Sequence, residues 1–180
     1  MEKVYLSIGS NRPAACSGRK KLLLKAEALV LDRIGSPVRI SSFYESDPWE
    51  LKDPVSFYNA VICVTTVLSP EGVLEKIREI EGILGRKRES AIKSGRRKGV
   101  KIRAYAPRTM DIDILFFGSK KISNAELEIP HPLLHRRMFV LVPLAEIASD
   151  FMHPSLGKKI QDLLSSCPDK GKVRKLPLRP

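Results

Sequence analysis

Two aspartates, Asp111 and Asp113, stand two residues apart in "RTMDIDILFFG", residues 108–118, among Met110, Ile112, Ile114, Leu115, Phe116 and Phe117. The stretch reads as a strand, on which residues i and i+2 face the same way, about 7 Å apart along the chain. Ile112 and Ile114 then point to the opposite face, into the core. Carboxylates in such surroundings are costly unless they meet cations. Hard divalent ions such as Mg²⁺ suit them, because these ions take oxygen ligands and keep several waters. A structural ion pair with the preceding Arg108 is the alternative.

Cations are concentrated just upstream. From Arg86 to Arg108 the chain carries ten Lys or Arg (86, 87, 88, 93, 96, 97, 98, 101, 103 and 108) against one acid, Glu89. That segment accounts for most of the formal net charge of +12. One concentrated basic segment points to a local anion site or a binding loop, whereas a diffuse basic surface would point to nucleic acid or solubility. A solvated basic loop is an adequate reading of residues 93–103. It fits Arg86, Arg88 and Arg108 less well, since they flank structured elements. Asn59, inside the apolar run "FYNAVICVTTVL", is a third candidate, because a buried amide needs partners.

The elements that must position these residues follow a clear order. "KVYLSIGS" alternates and stops at Gly9-Ser10-Asn11, as a strand does. Residues 18–34 place Leu22, Leu23, Ala26, Leu29, Val30 and Ile34 at helical spacing, and Gly35 ends them. "VRISSFYES" alternates again, "DPWELKDP" is a loop, and "FYNAVICVTTVL" is a long strand. Ser69 as N-cap and Pro70 at the first helical position open a second helix, with Val73, Ile77, Ile80 and Leu84 on its apolar face and Gly85 at its end. After the aspartate strand come a turn at Gly118, a short strand near Ile122, "ELEIPHP", and a helix from about Leu133 to Ala148. The tail from residue 167 is either a last short strand or loose. This β-α-β-β-α-β order predicts an α+β, ferredoxin-like sandwich with helices on one face of an antiparallel sheet and further C-terminal strand and helix elements. The fold hosts enzymes and RNA-binding modules alike.

Whole-chain properties narrow the classes. At 180 residues, 43% hydrophobic and 29% charged, the chain is expected to form one domain, residues 1–180, with a long basic loop at about 87–106. No apolar run reaches the roughly 20 residues of a membrane helix. The N-terminal "MEKVYLSIGS" does not read as a signal peptide. Cys16, Cys63 and Cys167 are too few and too scattered for a disulfide framework or a CxxC metal site. A cytoplasmic protein without membrane partners is expected.

"APRTMDIDILFFG" resembles the signature of 6-hydroxymethyl-7,8-dihydropterin pyrophosphokinase, a folate-pathway enzyme. Four further blocks resemble that family in the same order: "YLSIGSN", "SSFYESDPW" followed by "FYNAV", "IEGILGRKR", and "IPHPLLHRRMFVLVPLAEIA". Together they span residues 3–150. The resemblance implies transfer of pyrophosphate from ATP to the hydroxymethyl group of the dihydropterin, with release of AMP. It implies two Mg²⁺ ions on Asp111 and Asp113, with Arg86 and Arg108 as catalytic arginines whose planar forks suit phosphate oxygens. Glu81, Arg88, Ile114, His131 and Arg137 match ATP-binding positions. Phe57 and Phe139 match the two rings that sandwich the pterin; Asn59 and Ser46 match its polar contacts, with nearby backbone between Asp47 and Glu50. Without the resemblance, Phe139 reads equally well as core and His131 as an ordinary loop residue.

Three departures from the family pattern stand out: Asp47 where proline is common, Tyr105 in place of a frequent tryptophan, and a longer, more basic segment between Arg88 and Ala106. ATP and the pterin are the expected partners, with no nucleic acid, and a monomer is expected. The rival reading is a basic RNA-binding module of the same fold. It calls for exposed aromatics in a K/R-G-F/Y-G-F-type strand, where this chain has paired aspartates that would repel RNA.

Overall fold

A computed structural model describes residues 1–11, 18–49, 55–85 and 109–177. Its described elements are β1 (Glu2–Ser10), α1 (Arg19–Arg33), β2 (Ser36–Ile40), β3 (Tyr44–Ser46), β4 (Phe57–Thr66), α2 (Pro70–Ile83), β5 (Asp111–Phe117), β6 (Ile122–Ser123), β7 (Glu128–Ile129), α3 (Met138–Ala148), α4 (Ile160–Ser165) and β8 (Val173–Lys175). The main sheet runs β5-β1-β4-β3-β8, with β2 paired to the distal half of β4, and each pairing is antiparallel. The β5-β1-β4 centre flanked by β2 and β3 is the ferredoxin-like order expected from the sequence.

The helices do not share one face. Val4, Leu6 and Ile8 of β1 pack with Ala60, Ile62 and Val64 of β4 beneath α1 and α2. The alternate residues Tyr5, Val61 and Cys63 pack with Leu141 and Leu144 of α3 and Ile160 and Leu163 of α4. Since side chains alternate across a strand, these clusters lie on opposite faces, and the expected two-layer sandwich becomes three layers. The helix at 138–148 is the reason: its buried Val140, Leu141, Leu144 and Ile147 need an apolar surface, and the second sheet face supplies it.

Local rules explain most element ends. Ser69 caps α2 by accepting a hydrogen bond from the Gly72 amide at 3.1 Å, and Gly85, at φ +89°, ends it in the left-handed region. Gly35 is required by close approach, since a Cβ there would lie 2.1 Å from the Thr65 carbonyl oxygen. The predicted strand "VRISSFYES" is broken in two. The Ser41 amide still donates to the Val61 carbonyl at 2.9 Å, but its hydroxyl, in place of a backbone carbonyl, accepts the Val61 amide at 2.9 Å, so one ladder bond to β4, at the break between β2 and β3, is made by a side chain. The helix expected from Leu133 begins later: Leu134–Arg136 form a 3₁₀ turn and Arg137 is extended, at φ −121° and ψ 104°.

One irregularity matters for chemistry. The β1–β5 register slips between Tyr5 and Leu6, whose partners are Phe116 and Ile114, leaving Leu115 as a bulged extra residue. Leu115 and Phe116 therefore both enter the α3 side of the core, while Ile112 and Ile114 enter the α1–α2 side. Asp111 and Asp113 share the α3 side of the sheet, near its end.

Candidate active site

Register builds the floor of the site. Across the sheet, Asn59 of β4 pairs with Gly9 of β1, and Gly9 pairs with Asp111 of β5; one step inward, Val61 pairs with Ser7 and Ser7 with Asp113. Residues directly opposite share a face. The amide, the small residues and both carboxylates therefore form one surface, and Gly9 leaves it open. A Cβ on Gly9 would come within 3.0 Å of Asn59 Oδ1.

Walls rise around this floor. The cleft opens to solvent, and the empty space within it, counted out into its mouth, is about 680 Å³. Ser46, Asp47, Trp49, Phe57 and Asn59 line it from β3, β4 and the segment between them, Asp111 and Asp113 from β5, and Arg137 and Phe139 from the start of α3. Asn59 is buried and donates from Nδ2 to Ser46 Oγ at 2.9 Å. That bond fixes the amide plane and leaves one N–H and the carbonyl available to a heterocycle edge. Phe139 is the second residue of α3, just after the extended Arg137 redirects the chain over the sheet.

A second cluster sits beside Asp113. His131 Nε2 is 4.0 Å from Asp113 Oδ2 and 3.3 Å from Arg137 Nη1. Burial, with the Arg137 cation as the next cause, pushes His131 down to about 4, so the ring is neutral at pH 7. Its Nδ1 accepts the Leu133 amide at 3.2 Å, which leaves the proton on Nε2. Nε2–H and the Arg137 guanidinium are then both donors turned toward each other. An oxyanion between them would satisfy both.

Sequence reasoning missed Trp49, Ser7 and Gly9. Arg137 lies over the Trp49 ring, 4.6 Å from its centroid, and 5.7 Å from that of Phe139. Trp49 and Phe139 are themselves 6.4 Å apart. The chain's single tryptophan, placed in a proline-containing loop, was the available signal. Ser7 and Gly9 were legible only through register, which brings them beside the aspartates.

Two residues expected to contact the nucleotide, Glu81 and Ile114, are not among those lining the cleft. Glu81 is buried on α2, where Oε1 accepts the Ile112 amide at 3.0 Å. It holds the outer edge of the aspartate strand from behind. Ile114 buries its side chain in the α1–α2 core, so only its backbone can meet a ligand. Ile112 directs its amide outward to Glu81, and ladder alternation sends the Ile114 backbone groups to the same edge. Arg86, Arg88 and Arg108 lie outside the described residues, as does Glu50.

Paired acids, aromatic side chains and a fixed amide line one cleft with a cation–imidazole cluster beside them, the residue set of a small-molecule site in an α+β enzyme. Comparison with known proteins supplies the family. The model of the 7,8-dihydro-6-hydroxymethylpterin-pyrophosphokinase family matches residues 5–149, and the chain belongs to that family. The 2-amino-4-hydroxy-6-hydroxymethyldihydropteridine pyrophosphokinase of Porphyromonas gingivalis is 37% identical over 155 residues, covering 86% of this chain and 95% of its own. That of Pseudomonas aeruginosa is 33% identical over 177 residues, 98% of each. The "Folic acid synthesis protein fol1" of Pneumocystis carinii is 39% identical over 159 residues, but the chain spans only 19% of its length. Among solved structures, an HPPK-DHPS in complex with substrates superposes with a TM-score of 0.67 at 15% identity, covering 92% of this chain and 43% of that one. At that identity the likeness shows the fold alone. The RNA-binding alternative finds no support among these relatives.

Proposed function

We propose that this chain transfers the terminal pyrophosphate of ATP to the hydroxymethyl oxygen of 6-hydroxymethyl-7,8-dihydropterin, through the residues gathered in the cleft. Release of AMP fixes the bond changes. The hydroxymethyl oxygen attacks the β-phosphorus and releases its proton to solvent, the bond from that phosphorus to the α,β-bridging oxygen breaks, and AMP leaves with that oxygen. The observation that carries the reading is the register row Asn59–Gly9–Asp111 beside Ser7–Asp113. It brings the Asn59 amide and the paired carboxylates onto one floor, which supports a heterocycle read beside the metal-binding acids.

Phe57 and Phe139 take the two faces of the pterin, and Asn59, held by Ser46, reads its edge. His131 Nε2–H and Arg137 donate to phosphate oxygens at the mouth. Arg86, Arg88 and Arg108 add charge to the same anion, the first and last as catalytic partners of the transferring group. Asp111 and Asp113 fit Mg²⁺: both are hard oxygen donors on one face, and Asp113 is 37% exposed, which leaves room for waters and phosphate oxygens. Asp111 and Asp113 would hold two Mg²⁺ ions, which would supply charge neutralisation and alignment of the triphosphate. Glu81 and the Ile114 backbone border the outer edge of β5, where the nucleoside end can lie.

The enzyme is proposed to act as a single-domain monomer in the cytoplasm, consistent with the free, buried thiols of Cys63 and Cys167. Among the described residues, no helix is long and apolar enough to cross a membrane. The deciding assay mixes the protein with ATP, Mg²⁺ and hydroxymethyl-dihydropterin and follows AMP. Stoichiometric AMP and pterin diphosphate are expected. ADP as the nucleotide product would refute the reading.

A further inference from the structure

We propose that the C-terminal segment 167–175 is a positioning strap that fixes the separation of the two walls of the pterin slot. The segment is tied to both walls by specific polar contacts. At one wall, Asp169 Oδ2 accepts the Met138 amide at 2.9 Å. Met138 opens α3 between the cleft residues Arg137 and Phe139, and α3 has no side-chain cap of its own, because Arg137 stands at that position. A distant carboxylate thus satisfies a first-turn amide and meets the positive end of the helix. The other oxygen of Asp169 accepts the Gly171 amide at 2.8 Å, which locks the carboxylate to its own segment.

At the opposite wall the contact is reciprocal. Asp47 donates its amide to the Lys172 carbonyl at 3.1 Å, and its Oδ2 accepts the Lys172 amide at 3.0 Å. Asp47 lines the cleft two residues before Trp49. β8 continues this attachment by pairing with β3, Val173 opposite Ser46, and Lys175 Nζ reaches Glu146 of α3 at 2.8 Å. Asp169 and Lys172 are three residues apart, so even a fully extended chain spans at most about 10–11 Å between the two anchors. The walls cannot part further without breaking a contact. A flat ring held between aromatic faces needs such a limit, since stacking fails when the gap widens by an ångström or two. Asp47 belongs to the arrangement: proline, common at this position in the family pattern, has neither the amide nor the carboxylate.

This inference rests on the cleft being the pterin site, and the test separates the two. In the full-length protein, Asp169→Ala is expected to raise the pterin KM at least fivefold while the ATP KM and kcat stay within about twofold. Asp169→Asn, which keeps one acceptor, should recover most of the loss. Trp49, the only tryptophan, gives an independent readout: acrylamide quenching of its fluorescence should increase in Asp169→Ala and return toward wild type in Asp169→Asn. A lowered melting temperature with unchanged pterin KM and unchanged quenching would overturn the strap and leave a purely structural tail. Should Asp169→Ala fail to fold, Asp169→Asn must still show an intermediate rise of twofold or more, and no rise overturns the proposal. Asn59→Ala serves as the reference. If it leaves the pterin KM unchanged, the site reading itself falls, and the strap with it.

Discussion

Asp111 and Asp113 hang on the α3 side of β5, and the strand beneath them is held by core contacts that do not involve their carboxylates. Removing either should therefore spare the fold. Asp111→Ala and Asp113→Ala are expected to abolish AMP formation at any Mg²⁺ concentration, with unchanged circular dichroism. Near-normal turnover in either at saturating Mg²⁺ would refute the metal assignment. Across the cleft, Phe57→Ala and Asn59→Ala should weaken pterin binding, the lost stacking ring by about 1–3 kcal/mol, with little change in ATP affinity. Equal loss of ATP binding in equilibrium titrations would place these residues in another subsite.

At the scale of elements, the outer edge of β5 depends on a side chain from α2. Glu81 accepts the Ile112 amide inside the fold, so its removal strands a buried N–H. Glu81→Ala should cost about 1–3 kcal/mol in denaturant unfolding, and Glu81→Gln, which retains a carbonyl acceptor, much less. The pair of variants also distinguishes two tasks. If Glu81 only braces the strand, Glu81→Gln keeps the ATP KM; if the carboxylate also meets the nucleotide, as the family pattern implies, the ATP KM rises while stability holds. The basic segment makes a second case. Replacing Lys93, Arg96, Arg97, Lys98, Lys101 and Arg103, which lie outside the described residues, with Ser or Gln should slow ATP association and flatten its salt dependence, because long-range attraction between charges in water is screened within about 10 Å. Single-turnover chemistry should stay within about tenfold, or 1.4 kcal/mol. Arg108→Ala should instead slow the chemical step by several kcal/mol, as loss of a transition-state charge partner does. Rapid-quench kinetics separates the two, and equal damage to chemistry would merge them.

Acid acts on the folded molecule through two histidines whose pKa values burial lowers, His131 beside Asp113 and His153 against Phe116. His153 is buried, with its ring edge-on to Phe116 at 5.3 Å between centroids, and its Nδ1 accepts the Ser155 and Leu156 amides at 3.2 Å each. Burial first, then the nearby His135, pushes its pKa below the ordinary 6.5; Lys121 acts in the same direction. The folded state thus disfavours the proton that the unfolded chain accepts. Stability from this group is intact above pH 6.5 and is lost as pH falls below it. Thermal midpoints measured from pH 7.5 to 5 should fall in the wild type. His153→Gln should start lower and fall less steeply, since it cannot titrate. Parallel pH slopes would show that another group carries the acid sensitivity.

Local chemistry made much of this protein readable from sequence. Alternation set Asp111 and Asp113 on one face, Ser69 and Gly85 bounded α2, and the order of apolar periods gave the ferredoxin-like core, because each depends on neighbours within a few residues. The strand break at Ser41 and the late start of α3 escaped, since a serine hydroxyl replacing a ladder bond, and an extended Arg137 before the helix, are not local propensities. The same holds for the third layer. Whether a helix covers one sheet face or the other depends on which apolar surface is left exposed, and only packing settles that. The floor of the cleft, Ser7 and Gly9 beside Asp113, Asp111 and Asn59, exists through register between strands about 50 and 100 residues apart. The Asp169 clasp on Met138 joins partners 31 apart. Residue types, therefore, were fixed by the sequence's own short-range rules, whereas which of them face one another was decided by long-range pairing, where the energy of one hydrogen bond or one buried face selects among many arrangements that local rules allow.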